Sequence, residues 1–503
     1  MPYTRPGVYI TENAFTTNVS PGGNATYASF HGTASRGPAS PLFIDSWSSY
    51  KAAFGDLDSA YDLGYAVYHF FANGGRGAYV SRVVSAHASV NEATLSLAGT
   101  VSAGANASCV VINAKNVGIW GNSLSISVSA GLVSGSFPTF NVVVSLSGVV
   151  VESWQELSLS ANDNRNVSTI INNYSTYIKV ASAVSVATAT AYTITAVTAS
   201  LTTGHDGTSI TSANWATSIR TLNNVSGQLI INLVGQTTAT IVNDAISYCD
   251  ADVAGSRPNS FLVVDPDATK LTAADIVALV STYTASSYAA VYYGMLSMAN
   301  PATSGVGSIR TTYPGGAVIG LYQRVETERS VGQAPAGYAY ELRNAFGTVS
   351  SFSDTDVGTL YAAHVNTLKN VAGAGSIIFG ARTLKKTDAT KYIPSRRVLN
   401  HIKLQAELLT NPAMFKPITS RLFDEISSKI AAMLSGLWAS GALNGAGPSQ
   451  SFYVVCDSTN NTSTTIQAGE LHLEIGVALT TPAEFIVINV SQFTSGVSTT
   501  ETI

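Results

Sequence analysis

The sequence predicts a mixed α/β protein. It reads as a central, mostly parallel α/β domain, an all-β domain inserted into it, a C-terminal α+β domain, and extended strand arms at both ends. Three observations predict this. After residue 201, apolar runs such as 228–234 (QLIINLV) alternate with helical patterns, which implies parallel strands buried on both faces. Residues 93–200 hold only six charged residues (Lys115, Glu152, Glu156, Asp163, Arg165 and Lys179) among short alternating runs of Ser, Val, Thr and Ala. Two short strand patterns near the chain ends have no hairpin partner nearby.

The expected boundaries are an N-terminal arm at 1–20, a discontinuous central domain at 21–92 and 201–380, the inserted β domain at 93–200, the C-terminal domain at 381–485 and a C-terminal arm at 486–503. In the first arm, Val8 and Ile10 alternate with Tyr9 and Thr11. The stretch containing Pro21, Gly22 and Gly23 reads as a hinge. Leu63, Ala66, Val67, Phe70 and Phe71 make a helical stripe closed by Gly74-Gly75, and residues 78–84 (AYVSRVV) then form a buried strand. A helix is expected within the insert near 167–177.

In the second half of the central domain, strands are expected at 228–234, 260–264, 289–295 and, last, 376–380. Helices are expected at 238–248 and 272–283, the latter capped by Thr272 with Asp275 three residues on. Residues 382–429 contain ten Lys/Arg against four Asp/Glu. Within and beyond that stretch, Ile418, Leu422, Ile426, Ile430, Leu434 and Leu437 mark an amphipathic helix, with Arg421, Asp424, Glu425 and Lys429 at its other positions. From 441 onward there is no Lys or Arg but five acids. The final strand places Ile486, Ile488 and Val490 on one face and Phe485 and Val487 on the other, trailed by a polar tail.

The 503 residues include only 11% charged side chains, against about 25% in an average soluble domain. That composition suits a protein whose surface is hidden in an assembly. A net charge of −4 gives no basic field for nucleic acid. The three widely spaced cysteines indicate neither a zinc site nor a disulfide framework. No signal peptide is recognisable, and no run is apolar enough to insert in a membrane.

Catalytic motifs are missing: there is no P-loop, H-E-x-x-H, G-x-S-x-G or G-x-G-x-x-G pattern. Asp265, at the carboxyl end of an expected parallel strand, is the best enzyme candidate, with His364 or a serine as partner. The plainer reading is a strand-ending Asp265-Pro266-Asp267 turn, and it is preferred because nothing at fixed spacing supplies a base or oxyanion hole. Arg396 and Arg397, with Lys385, Lys386, Lys391 and Lys403, read as a phosphate site or as a patch pairing with acids of a neighbouring subunit. The second reading is favoured. Gly204-His205-Asp206-Gly207 reads as a tight turn leaving the insert. No catalytic, cofactor or metal residues are assigned.

Several segments carry a resemblance. Pro6-Gly7-Val8-Tyr9-Ile10-Thr11-Glu12 resembles the PGVYxxE opening of contractile-tail sheath proteins of bacteriophages and related injection systems. The segments Phe70-Phe71-Ala72-Asn73-Gly74-Gly75, Gly204-His205-Asp206-Gly207, Ala334-Pro335-Ala336-Gly337, Gly380-Ala381-Arg382-Thr383-Leu384 and Pro482-Ala483-Glu484-Phe485-Ile486 are similar to that family's motifs, in the same order. Residues 93–200 carry no match. The turn at Tyr313-Pro314-Gly315-Gly316 departs from the family by lacking a second proline, and Glu326 stands one position beyond the family's usual acid.

The resemblance implies a structural subunit without enzymatic activity or cofactor. Its copies would stack as hexameric rings around a tail tube, in a virion tail assembled in the bacterial host cytoplasm. It implies strand exchange between subunits through Val8, Tyr9, Ile10 and Thr11 and through Phe485, Ile486, Val487, Ile488 and Val490. Partners would be further copies of the chain, the tube protein, and baseplate and terminator proteins, without direct nucleic-acid contact or membrane insertion. Arg396, Arg397, Arg421, Asp424, Glu425 and Lys429 are expected at tube or inter-subunit contacts. The alternatives are a subtilisin-like hydrolase and a carbohydrate-binding surface protein, the latter resting on the β-rich insert.

Overall fold

The structure is a computed structural model that describes residues 26–85, 91–101, 104–133, 138–184, 192–207, 209–250, 257, 260–302, 308–349, 351–484, 489–494 and 497–502. The arm residues Val8, Tyr9, Ile10 and Thr11, the hinge residues Pro21, Gly22 and Gly23, and Phe485, Ile486, Val487 and Ile488 lie outside the described residues. The chain divides into two compact units. One comprises residues 85–209 and the other 26–84 together with 210 onward.

The larger unit opens with β1 (Thr26–Gly32), β2 (Leu42–Ile44), α1 (Trp47–Phe54), α2 (Leu63–Ala72) and β3 (Ala78–Arg82). The expected stop after α2 is a left-handed turn. Gly74 has φ +101°, and the Gly75 N–H reaches back to the Phe70 carbonyl at 2.9 Å.

The chain then enters the smaller unit. It holds β4 (Thr94–Val101), β5 (Gly104–Ala114), β6 (Leu124–Ala130), β7 (Phe140–Leu146), β8 (Val149–Leu157), α3 (Val167–Tyr174), β9 (Ile178–Ala183), β10 (Tyr192–Ile194) and β11 (Val197–Ser200). These form two four-stranded antiparallel sheets, ordered β10-β4-β5-β9 and β11-β6-β7-β8. Alternation drives their packing: Leu124, Ile126 and Val128 of β6 are buried while Ser125 and Ser127 between them are not. They share one core with Leu97, Val110, Val142 and Ile171 of α3, whose first turn is capped by the Asn166 carboxamide oxygen. The run from Gly204 to Gly207 does turn tightly: Gly207 N–H donates to His205 Nδ1 at 2.9 Å, and Asn91 N–H meets the His205 carbonyl.

Back in the larger unit come α4 (Ser212–Arg220), β12 (Gln228–Leu233), α5 (Ala239–Cys249), β13 (Phe261–Val264), α6 (Ala273–Val280), β14 (Ala289–Tyr293), β15 (Leu296–Ala299), β16 (Ile309–Thr312), α7 (Gly315–Glu328), β17 (Gly347–Thr348), α8 (Asp354–Ala362), β18 (Val365–Val371) and β19 (Gly375–Phe379). The main sheet has eight strands, ordered β19-β18-β14-β13-β12-β1-β3-β2. Its inner strands are parallel, and only β19 and β2 at the rims run antiparallel. The apolar run of β12 splits by its period of two. Ile230 faces α2 and α7 in a core with Phe30, Phe70 and Leu321, while Leu229, Ile231 and Leu233 face α4, α5 and α6 with Trp215, Val242 and Ile276. α6 has the expected cap: Thr272 Oγ1 accepts from Asp275 N–H.

Two strands of this sheet are not marked by apolar runs. β1 lies near the middle and buries Ser29 and His31, whose ring bridges Ser29 Oγ at 3.1 Å and Ser218 Oγ at 2.7 Å. β18 lies inside β19 (Gly375–Phe379), which is the last strand of this sheet in chain order, as expected for 376–380, and pairs antiparallel with β18 in a hairpin.

The chain finishes with α9 (Ile393–Thr410), α10 (Ser420–Ala439), α11 (Pro448–Ser451), β20 (Phe452–Val455), α12 (Ser463–Gln467), β21 (Glu474–Val477), β22 (Asn489–Thr494) and β23 (Val497–Thr502). Val398, Ile402, Leu422, Ile426, Ile430 and Leu434 form a further core here. α10 starts at Ser420 with Thr419 as its cap, so Ile418 packs beside that core from outside the helix.

Candidate subunit-linking site

Among the described residues, β20 and β21 make a sheet of two strands. Ala478 N–H bonds to the Ser451 carbonyl at 2.8 Å, which fixes the alternation of the ladder. Tyr453 and Val455 therefore bond inward to Gly476 and Glu474, while the backbone groups of Val454 and of Ile475 and Val477 point outward along the two rims. The Phe452 N–H is taken by the Pro448 carbonyl. Both rims can accept a further strand, and one face of the pair rests on the α10 core. The sequence reading did not mark this sheet, although the aromatic and β-branched run 452–455 (FYVV) is a strand signal.

The end of the chain differs from the expected single strand with a loose tail. Val490 lies in β22 and pairs with Glu501 of β23 in a hairpin, because the Ser/Thr-rich tail itself has strand character. Before that hairpin the chain is pinned in steps. Ser395 Oγ donates to the Thr480 carbonyl at 3.2 Å, and Arg382 forks onto Glu484 at 2.8 and 3.3 Å while stacking on Tyr361.

Arg396 and Arg397 do not present a contact surface, which corrects the expectation for this pair. They sit in the first turns of α9, where that helix packs on the central sheet and α7. Arg397 is 2% exposed, pairs with Glu326 at 2.6 Å and lies over the Tyr322 ring. Arg396 stacks on Tyr288, toward whose hydroxyl Lys403 also reaches at 3.4 Å. Lys385 is engaged by Asp388 at 2.8 Å, so the basic residues do not converge as a phosphate cradle. On α10, Arg421, Asp424 and Lys429 are exposed, and Glu425 bridges Lys429 at 2.6 Å and Lys416 at 3.4 Å. Those ammonium groups hold the Glu425 carboxyl below its ordinary range. Phe415, in the turn before α10, is fully exposed and adopts φ +65°.

Asp265 stands at the carboxyl end of β13, as expected, but is sealed in at 1% exposure. Its carboxylate accepts from Asn232 Nδ2 at 3.1 Å, Gly235 N–H at 3.1 Å and Gly315 N–H at 2.8 Å. Burial pushes its pKa up to about 6 against those three donors. The crevice where open α/β sheets bind ligands is thus filled by the start of α7. His364 instead bonds the Thr383 carbonyl through Nδ1. Among the described residues no cluster of three or more His, Cys, Asp or Glu could hold a metal, and no helix is long and apolar enough to cross a membrane.

The fold, a mostly parallel sheet interrupted by a β-rich unit, is shared with solved sheath proteins of contractile systems. No protein-family model matches the chain, and no curated protein matches it. Among solved structures, it is similar to a sheath tail protein from Listeria innocua (15% identity, TM-score 0.61, covering 96% of this chain and 95% of that one). It is likewise similar to the PVC sheath of an extracellular contractile injection system in its contracted state (20%, 0.56, 99% of both chains). A third is the contracted helical sheath of the anti-feeding prophage (17%, 0.56, 98% and 99%).

Proposed function

We propose that this chain is the sheath subunit of a contractile injection machine, a structural protein rather than an enzyme. The observation that carries this reading is the two-stranded β20–β21 sheet with both rims open, in a chain matched end to end by sheath proteins. Copies stack as hexameric rings around an inner tube. The strand at Val8, Tyr9, Ile10 and Thr11 and the segment 485–490 of neighbouring copies add to the two rims by backbone hydrogen bonding. Each bond contributes roughly 0.5–1.5 kcal/mol net, so a single link is modest and the polymer gains its strength from repetition.

The exposed charges of α10 (Arg421, Asp424, Lys429) face the tube or an adjacent subunit. Triggering at the baseplate lets the subunits move as rigid bodies while the arms, hinged at Pro21, Gly22 and Gly23, keep them linked. The sheath shortens and drives the tube through a cell envelope. The partners are other copies, the tube, and baseplate and terminator proteins, in a virion tail or a related particle.

Deleting residues 1–12 tests this. The full-length chain should form rings or tubes in negative-stain micrographs, and the truncated chain should keep its Tm and stay monomeric. Normal sheaths from the truncated chain would overturn the arm assignment.

A further inference from the structure

The residues from which the two arms spring are fixed differently: Glu484 by an ion pair to Arg382, and Thr26 by its place in β1 and by Gln228 and Gln323. We propose that Arg382–Glu484 is the anchor through which pull on the C-terminal arm enters the body of the subunit. This rests on the sheath reading above.

At the C-terminal root, Glu484 is the last described residue before the proposed exchange strand. Arg382 grips it with Nε and Nη2, at 3.3 and 2.8 Å, and both side chains are largely shielded from solvent. Arg382 is itself set by the Tyr361 ring 3.7 Å from its Cζ and by its backbone N–H donating to Asn366 Oδ1 at 2.8 Å. Asn366 belongs to β18 and also donates to the Val291 carbonyl of β14, so the grip reaches the main sheet in two steps.

At the N-terminal root, Thr26 is the first described residue. Its hydroxyl donates to Gln228 Oε1 at 3.1 Å and its carbonyl accepts from Gln323 Nε2 at 3.0 Å. The hydroxyl also lies 3.5 Å from Glu326 Oε1, and Glu326 Oε2 takes the Arg397 guanidinium at 2.6 Å. Pull on the C-terminal root therefore meets a charge-assisted bond before it meets a strand ladder, whereas Thr26 is already the first residue of β1 and is held directly by its pairing with β12. Bonds of this kind in a shielded setting resist displacement more than exposed pairs do. Arg382 and Glu484 are positioning residues for the C-terminal exchange strand.

The test uses the full chain as wild type, E484Q, R382Q, the swapped pair R382E/E484R, and T26V. The first readout is amide hydrogen exchange of the isolated chain. E484Q and R382Q should speed exchange of residues 478–484 by about tenfold or more, and T26V should speed exchange at the start of β1. The rest of the larger unit should be unchanged, and the swapped pair should restore protection at 478–484. The second readout is sheath continuity after triggering: E484Q and R382Q sheaths should assemble but break into pieces several-fold shorter than wild type.

Unchanged local exchange in E484Q and R382Q overturns the anchor. So does triggered E484Q sheath as continuous as wild type. A wild-type chain that never polymerises overturns the sheath reading instead, and hydrogen exchange still decides whether the C-terminal root is anchored. T26V serves as the control, because it loosens the N-terminal root at Gln228 and leaves Arg382–Glu484 untouched.

Discussion

The Asp265 carboxylate, buried at the end of β13, accepts a 2.8 Å hydrogen bond from the Gly315 N–H that begins α7. A negative charge at a helix N-terminus is favourable, but this one has also lost its water. With its pKa raised from 3.8 to about 6, the folded chain binds a proton more tightly than the unfolded chain does. The contribution of this group is complete below pH 4 and is lost as pH rises through 6, a change of about 3 kcal/mol. Asp265→Asn gives up one acceptor and should be less stable at pH 4. Its deficit should shrink towards pH 7, which urea titrations at the two pH values would show. A deficit that widens instead would mean that the three donors outweigh desolvation.

His31 and His69 act in the opposite direction. Burial lowers their pKa values to about 3 and about 4, so both are neutral in the fold. Their stabilising contribution is intact above pH 6.5 and falls as acid protonates the unfolded chain first. By pH 5 each should have cost about 2 kcal/mol. His69→Gln, which keeps a donor toward Thr312 Oγ1, should flatten the fall in unfolding free energy between pH 7 and pH 5.

The start of α7 admits no side chain beyond glycine. A Cβ on Gly316 would run into the Ala66 carbonyl of α2, and one on Gly315 would meet Asn232 and Asp265. Gly316→Ala should therefore destabilise the larger unit by about 1–3 kcal/mol or more, despite the better helix propensity of alanine. Thermal unfolding of the purified chain measures this.

Proline at Val454 or Ile475 removes a backbone N–H that points away from the β20–β21 ladder. The isolated chain should fold with its Tm within a few degrees of wild type, and polymer should vanish from sedimentation profiles. At Tyr453, whose N–H lies inside the ladder, the same substitution should weaken the fold itself.

Phe415→Ala should leave the unfolding free energy within about 0.5 kcal/mol, since the ring touches solvent on all sides. A large aromatic held at φ +65° and fully exposed is costly to keep in water. Lower polymer yield by the alanine variant in the same sedimentation assay would place this ring at a contact between subunits.

Much of the main sheet was legible because its strands bury both faces and so must be apolar throughout, as in β12 and β13. The cap at Thr272 and the stripe on α10 were legible because they are local. β1 was not. Ser29 and His31 look like loop residues until Ser218, far along the chain, supplies a partner. β18 hides for the same reason, with Asn366 satisfied by the Val291 and Arg382 carbonyls. The arginine pair at 396–397 looked superficial because a run of cations usually is. Only the fold brings Glu326 and two tyrosine rings around them. The small sheet at β20–β21 was missed because each strand is only four residues long and β21 (Glu474–Val477) mixes a glutamate and a glycine with its apolar residues.

The rims of the main sheet are not like those of the small one. Along β19, Gly337 N–H bonds the Ile378 carbonyl and Leu342 N–H bonds the Ser376 carbonyl, so a loop of the same chain already occupies that flank. At the opposite flank β2 is only three residues long. A stray segment from a crowded cell therefore finds little footing on the largest sheet in the molecule. On the strand-exchange proposal, a segment added to β20–β21 therefore does not compete with the flanks of the main sheet.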